Sequence, residues 1–86
     1  MPEICRFYGL VIKMFWADHT PPHFHVEYGE QQAIVAIETL AVIHGSLPPR
    51  ALGLCVEWAA ERKAQLVELW RLAQSNQPLH RLDPLQ

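Results

Sequence analysis

The chain has 86 residues, of which 50% are hydrophobic and 19% charged, and its formal net charge is -2. That is the size of one domain, too apolar and too weakly charged to be disordered, and no apolar run approaches the roughly 20 residues a membrane-spanning helix needs. A chain this short buries only about 60–65% of its unfolded surface, so a thin core is expected, one that an oligomer or a partner would help.

Residues 6–16 (RFYGLVIKMFW) are rich in aromatic and branched side chains and read as the first strand. Tyr8, Leu10, Ile12, Met14 and Trp16 fall on one face, and Phe7, Gly9, Val11, Lys13 and Phe15 on the other. Both faces are largely apolar, which predicts a central strand or one covered on both sides. Residues 17–22 (ADHTPP) are a turn. Residues 23–28 (HFHVEY) alternate with period two, the pattern of a half-buried strand: Phe24, Val26 and Tyr28 face one way, and His23, His25 and Glu27 the other. Gly29-Glu30 closes a hairpin to the next strand, residues 31–38, and residues 41–44 form a short fourth strand or an extended loop.

The second half is helical. Pro49 suits a first helical turn, and Ser46 is placed to help cap it. Ala51, Leu54, Cys55, Trp58, Leu66, Leu69, Trp70 and Ala73 make an apolar stripe at spacings of three and four. Glu61-Arg62-Lys63 interrupts it, so one long helix, a bent helix or two shorter ones fit, and Asn76-Gln77-Pro78 is the stop. A continuous helix would reach about 40 Å, longer than so small a sheet can cover, which points to packing on a second chain and a homo-oligomer. The expected architecture is α+β: a small antiparallel sheet of three to four strands followed by one long or bent C-terminal helix. Residues 1–86 form a single domain, with a strand-rich half (1–45), a helical half (46–76) and a C-terminal tail (77–86).

The seven Lys and Arg residues are scattered, and only Arg62-Lys63 are adjacent. Nucleic-acid binding draws on a clustered basic surface and is not expected of the isolated chain; a membrane is not expected as a partner either. No basic and apolar leader opens the chain, so export by a signal peptide is not expected, and Cys5 and Cys55 read as reduced thiols of a cytoplasmic protein. Cys55, between Leu54 and Val56, is most simply a small core residue. Phosphate-loop, C-x-x-C and dinucleotide motifs are missing.

The chemistry concentrates in residues 18–27 (DHTPPHFHVE), which hold three of the five histidines. His23, His25 and Glu27 project from one strand face at about 6.5–7 Å per step, and two imidazoles with a carboxylate are ligand types for a divalent metal. Asp18 and His19, across the turn, offer a further ligand. The catalytic candidates are His19, His23, His25 and Glu27, since histidine titrates near neutral pH and serves acid/base chemistry. The plain alternative is a solvent-facing or structural role. Trp58, Leu66, Leu69 and Trp70 are interface candidates, because tryptophan is enriched at binding hot spots, with core packing as the simpler reading. Trp16 is placed either in the core or as a wall beside the histidine turn.

Arg6-Phe7-Tyr8-Gly9, then Asp18-His19 with Pro21-Pro22-His23-Phe24-His25-Val26, then Leu47-Pro48-Pro49-Arg50-Ala51-Leu52 and Glu57-Trp58, resemble a family of small bacterial proteins catalogued as domain of unknown function 4160. The resemblance runs from about residue 2 to residue 84. It implies a partner, since members are often encoded beside a protein of the family catalogued as domain of unknown function 2442, in pairs labelled type II toxin–antitoxin modules by gene arrangement. It implies no activity, substrate or catalytic residue. Many members carry a histidine shortly after the Glu-Trp pair, where this chain has Glu61-Arg62-Lys63. Three functions are therefore expected in order: a protein-interaction component of such a pair, with a small partner encoded nearby; a small histidine-dependent nuclease-like toxin; or a regulator binding a metal or small ligand on the His23/His25 strand.

Overall fold

The computed structural model describes residues 2–86. Five strands, β1 (Glu3–Phe7), β2 (Leu10–Lys13), β3 (His23–Tyr28), β4 (Gln31–Ala36) and β5 (Val42–Gly45), precede two helices, α1 (Pro49–Glu61) and α2 (Lys63–Gln74). The strands lie in chain order in one antiparallel sheet. The α+β class is as expected, but the sheet has five strands, not three to four, and the helix is two.

The extra strand comes from the first apolar run. Tyr8 and Gly9 both take positive φ (47° and 86°), which two-residue hairpin loops matched to strand twist require, so the chain reverses and Phe7 pairs with Leu10. Phe7 thereby joins the inward face of Leu10 and Ile12, the reverse of the face its place in a continuous strand implies, while Tyr8 stands 60% exposed at the tip. β2 is central, between β1 and β3. Its outward residues Val11 and Lys13 are only half-buried, so the sheet is not covered on both sides. Residues 42–45 do pair, with β4. Gly45 (φ 76°) closes that strand where a Cβ would overlap the Gln32 carbonyl oxygen, and Ser46 N–H donates to the same oxygen at 3.0 Å. Ser46 therefore does not cap α1; Pro48 holds the cap position without a side-chain hydrogen bond, and Pro49 begins the helix.

Arg62 separates the helices, with φ -125° and ψ 25°. Its N–H turns to the Ala59 carbonyl at 3.0 Å, leaving the Trp58 carbonyl without the partner a continuing helix supplies. The Arg62 guanidinium substitutes, donating to Trp58 O at 3.4 Å and to Pro84 O at 3.1 Å. The break folds both helices onto the sheet within a body of 33 × 26 × 23 Å, and removes the overlong helix that had argued for a second chain. Trp58 packs between Phe7 (ring centroids 5.5 Å apart) and Phe24 (6.1 Å). Trp58, Leu66 and Leu69 are fully buried, as Trp70 nearly is. All four interface candidates thus lie in the chain's own core.

α2 ends at Gln74 with Ser75 as its cap, and Asn76 follows at φ 56°, with Gln77 N–H on Leu72 O at 2.9 Å, as helices closed by a left-handed residue commonly do. The tail then docks: Leu82 N–H donates to Ile4 O at 2.8 Å, the Trp58 indole to Asp83 O at 2.8 Å, and Arg81 to the Glu3 carboxylate at 2.9 Å. Arg6 and Arg81 hold the Glu3 carboxyl down at about 2. No helix among the described residues is long and apolar enough to cross a membrane.

Two glycines give opposite tests. Gly45→Ala should cost more than about 2 kcal/mol, from left-handed backbone strain plus the clash with Gln32. Gly53→Ala, in α1 with nothing within 4 Å of the new methyl, should stabilise by about 0.5–1 kcal/mol. Urea unfolding reads both, and equal effects would contradict the placement of β5.

Candidate functional site

Residues 17–22 lead from the end of β2 back into β3, and the C-terminal end of α2 fixes them. Ala17 N–H donates to Ala73 O at 3.3 Å, and the Gln74 amide donates to Asp18 O at 2.8 Å. The indole of Trp16, 43% exposed, donates to Gln77 O at 2.8 Å; it neither joins the core nor lines the histidine hollow. Asp18 Oδ1 accepts the His19 backbone N–H at 2.9 Å. Its other oxygen, Oδ2, lies 2.9 Å from His23 Nε2 and 3.2 Å from His25 Nε2.

His23 opens β3 and is the one buried polar residue among the described residues, 5% exposed, with its ring 5.1 Å from that of Trp70. Its Nδ1 is 2.7 Å from the Pro21 carbonyl oxygen. A carbonyl only accepts, so Nδ1 carries a hydrogen. On the other side Nε2 and the carboxylate oxygen present two acceptor atoms to one another unless something positive lies between them. That is either a second ring proton or a cation. His25 is half-buried, with the Phe15 ring edge-on at 4.6 Å.

Burial pushes the Asp18 carboxyl up, but hydrogen bonds from His25, the His19 backbone and His23 outweigh it and hold the group below the usual carboxylate range. Burial also pushes the Cys55 thiol up to about 12 and raises that of Cys5. Both thiols are buried and free, and neither has nucleophile chemistry at neutral pH.

The structure brings together three ligand atoms, one each from Asp18, His23 and His25, all within 4.8 Å of one another. Glu27 is not among them. It sits one strand step further on and is engaged by Lys13 of β2 at 2.7 Å. Of the expected set His23, His25 and Glu27, the two histidines converge, and the carboxylate that meets them is that of Asp18. His19 points to solvent, its side chain 94% exposed, with Nδ1 3.3 Å from Asp18 Oδ1. A hollow of about 370 Å³ opens beside the cluster, lined by Asp18, Thr20, His25, Ile34, Ile43 and His44 among others. His44 was not singled out from the sequence. Its approach to His25 depends on the β3–β4–β5 register, and residues 41–44 alone carry no signal of it. A larger hollow, about 670 Å³, lies at the far end of the sheet between Tyr8, Tyr28 and Arg50, and includes no histidine, cysteine or aspartate.

Fold and site define a small α+β domain with a two-histidine, one-carboxylate cluster at one end of an antiparallel sheet. The chain belongs to the family described as Domain of unknown function (DUF4160), whose model matches residues 9–71. The matched span starts at the β1–β2 turn and runs into α2, so it contains Asp18, His23, His25 and His44, while β1 and the tail lie outside it. No curated protein and no solved structure matches the chain.

A carboxyl held low in the folded state stabilises it above the ordinary carboxylate range, near pH 4, and that contribution is lost as pH falls through the folded value. Asp18→Asn should therefore be less stable than the parent at pH 5–7, and lose less stability between about pH 5 and 2. Parallel stability curves for the two proteins would show that these hydrogen bonds contribute nothing.

Proposed function

We propose that this domain binds one divalent metal ion of borderline softness, zinc or a neighbour in the first transition row, through Asp18 Oδ2, His23 Nε2 and His25 Nε2. The observation that carries the reading is the convergence of these three atoms within 4.8 Å. Two supports stand beside it. The Nδ1–H of His23 on Pro21 O is the outer hydrogen bond that fixes the tautomer and leaves Nε2 for the metal. The ligand types, two imidazoles and a carboxylate, suit zinc, iron, nickel or copper better than magnesium or calcium. Three protein ligands leave a coordination position for water or a small ligand, as at catalytic and sensory zinc sites and unlike closed structural ones. That position would face the hollow beside Thr20 and Ile43. The bound ion would supply Lewis acidity there; the chain's own residues hold it, orient it and shape the access.

Titration of the purified chain with zinc or cobalt(II), followed by calorimetry, should give one site per chain, and metal at 100 times Kd should stabilise folding by about 2.7 kcal/mol. His23→Ala with His25→Ala should abolish binding and Asp18→Asn weaken it at least tenfold, while Glu27→Gln leaves it unchanged. Lack of stoichiometric binding at micromolar metal removes the reading.

A second reading, an interaction component of a two-protein toxin–antitoxin-like pair, is favoured by the uneven treatment of the two sheet edges. The tail docks against β1, whereas β5 forms the outer edge with Ile43 47% exposed, the kind of edge that takes up a strand from a partner. Induction of this chain alone in a bacterial host should stop growth if it is the toxin half, with recovery when the neighbouring gene product is co-expressed. Unaffected growth removes both the toxin and the nuclease-like alternative, leaving an antitoxin-like or plain binding role.

A further inference from the structure

The row His25–Ile34–His44 crosses three strands in register. Residues directly opposite one another share a face, so all three side chains lie on the sheet face away from the helices. Neighbouring strands are about 4.8 Å apart, which sets the two histidine backbones about 10 Å apart with Ile34 as the floor between them. Two hollows meet along this row. One, about 370 Å³, runs toward Thr20, Pro21 and Ile43; the other, about 440 Å³, runs toward Phe15, Glu27 and Gln32. His25, Ile34 and His44 line both.

Resting on the metal reading above, we infer that this trough takes an organic oxyanion, a phosphate or carboxylate group, held between the metal and His44. The gap sets the size. One oxygen on the metal at about 2.1 Å and another accepting a hydrogen bond from His44 at about 2.9 Å span the space above Ile34 with a single oxyanion. The charge sets the sign. A divalent ion beside the Asp18 carboxylate and two neutral imidazoles leaves one net positive charge. Glu27, the other carboxylate at the trough, is neutralised by Lys13 at 2.7 Å. His44 makes no side-chain hydrogen bond among the described residues, so its ring is available to a ligand. Phe15 at one end and Ile43 at the other provide apolar walls, which suit an anion carrying an apolar body rather than a bare ion.

Cobalt(II) in place of the native metal reports on this through its visible absorption, which changes when a ligand enters the open position. With the cobalt protein, inorganic phosphate, acetate and phenyl phosphate should each be titrated. A spectral response to phosphate or to acetate is expected, and the stronger response assigns the oxyanion class. Phenyl phosphate should bind at least several-fold tighter than inorganic phosphate. His44→Ala, on the exposed edge strand, should weaken oxyanion binding at least tenfold with cobalt affinity unchanged. Unchanged oxyanion affinity in His44→Ala, or a wild-type spectrum indifferent to all three anions, overturns the inference while the metal site stands. Absence of any cobalt spectrum overturns the metal reading and this one with it.

Discussion

At Arg62 the backbone leaves helical geometry, and the Trp58 carbonyl is completed by a guanidinium instead of an amide. Nearly everything that positions the site descends from this substitution. The break redirects α2 so that Leu66, Leu69 and Trp70 return to the sheet, where a straight helix would carry them past it. Trp70 then lies against the His23 ring. Three residues further on, Ala73 and Gln74 reach the Ala17-Asp18 backbone. The same guanidinium holds Pro84, so the side chain at the helix break also joins α1 to the tail. An Arg so employed is largely buried, its side chain 13% exposed, and its aliphatic part covers apolar surface while its guanidinium donates to two carbonyls and to the Glu61 carboxylate.

The histidine cluster is thus held from two sides. β3 dictates that His23 and His25 share a strand and a spacing. α2 dictates where Asp18 stands relative to them. Neither element alone assembles the site, and the Asp18 carboxylate, with two imidazole nitrogens on one oxygen, is the point at which they meet. A buried cluster of this kind is costly unless all its members are paired. Here Pro21 O and the His19 N–H complete it, and no buried side-chain nitrogen or oxygen among the described residues lacks a partner.

Much of this was legible in the residues. HFHVEY alternates cleanly, and the placing of His23 and His25 on one strand followed from that. The helix stop at Asn76-Gln77-Pro78 and the inert core character of Cys55 followed from local chemistry. The misses share a cause: they depend on what lies across from a residue rather than beside it. Glu27 has the right period to join His23 and His25, but Lys13 on the neighbouring strand takes it. Tyr8-Gly9 sits inside an apolar run, and Tyr8 is not a residue that announces a positive φ, so the run looks like one strand where there are two. The fifth strand and the inward turn of Phe7 follow from that single hairpin. Trp58 and Trp70 carry the signature of either a core or an interface; the break at Arg62 decides for the core, and a polar triplet within a helical pattern does not reveal how far the chain will turn.

The docking of the tail on β1 has a consequence for the order in which the molecule comes into being. Arg81 donates to the Glu3 carbonyl across 78 residues of sequence, and Leu82 to Ile4. Contacts of such long sequence range close slowly. During translation β1 and β2 emerge before the helices and the tail, and the outer edge of β1 stays bare until residues 81–83 have been synthesised. Trp58, already in place in α1, also waits for the Asp83 carbonyl. Of the five strands, β1 therefore precedes the others yet is finished only when the tail docks, and until then the nascent chain presents an uncovered strand edge to its surroundings, the kind of surface for which chaperones compete.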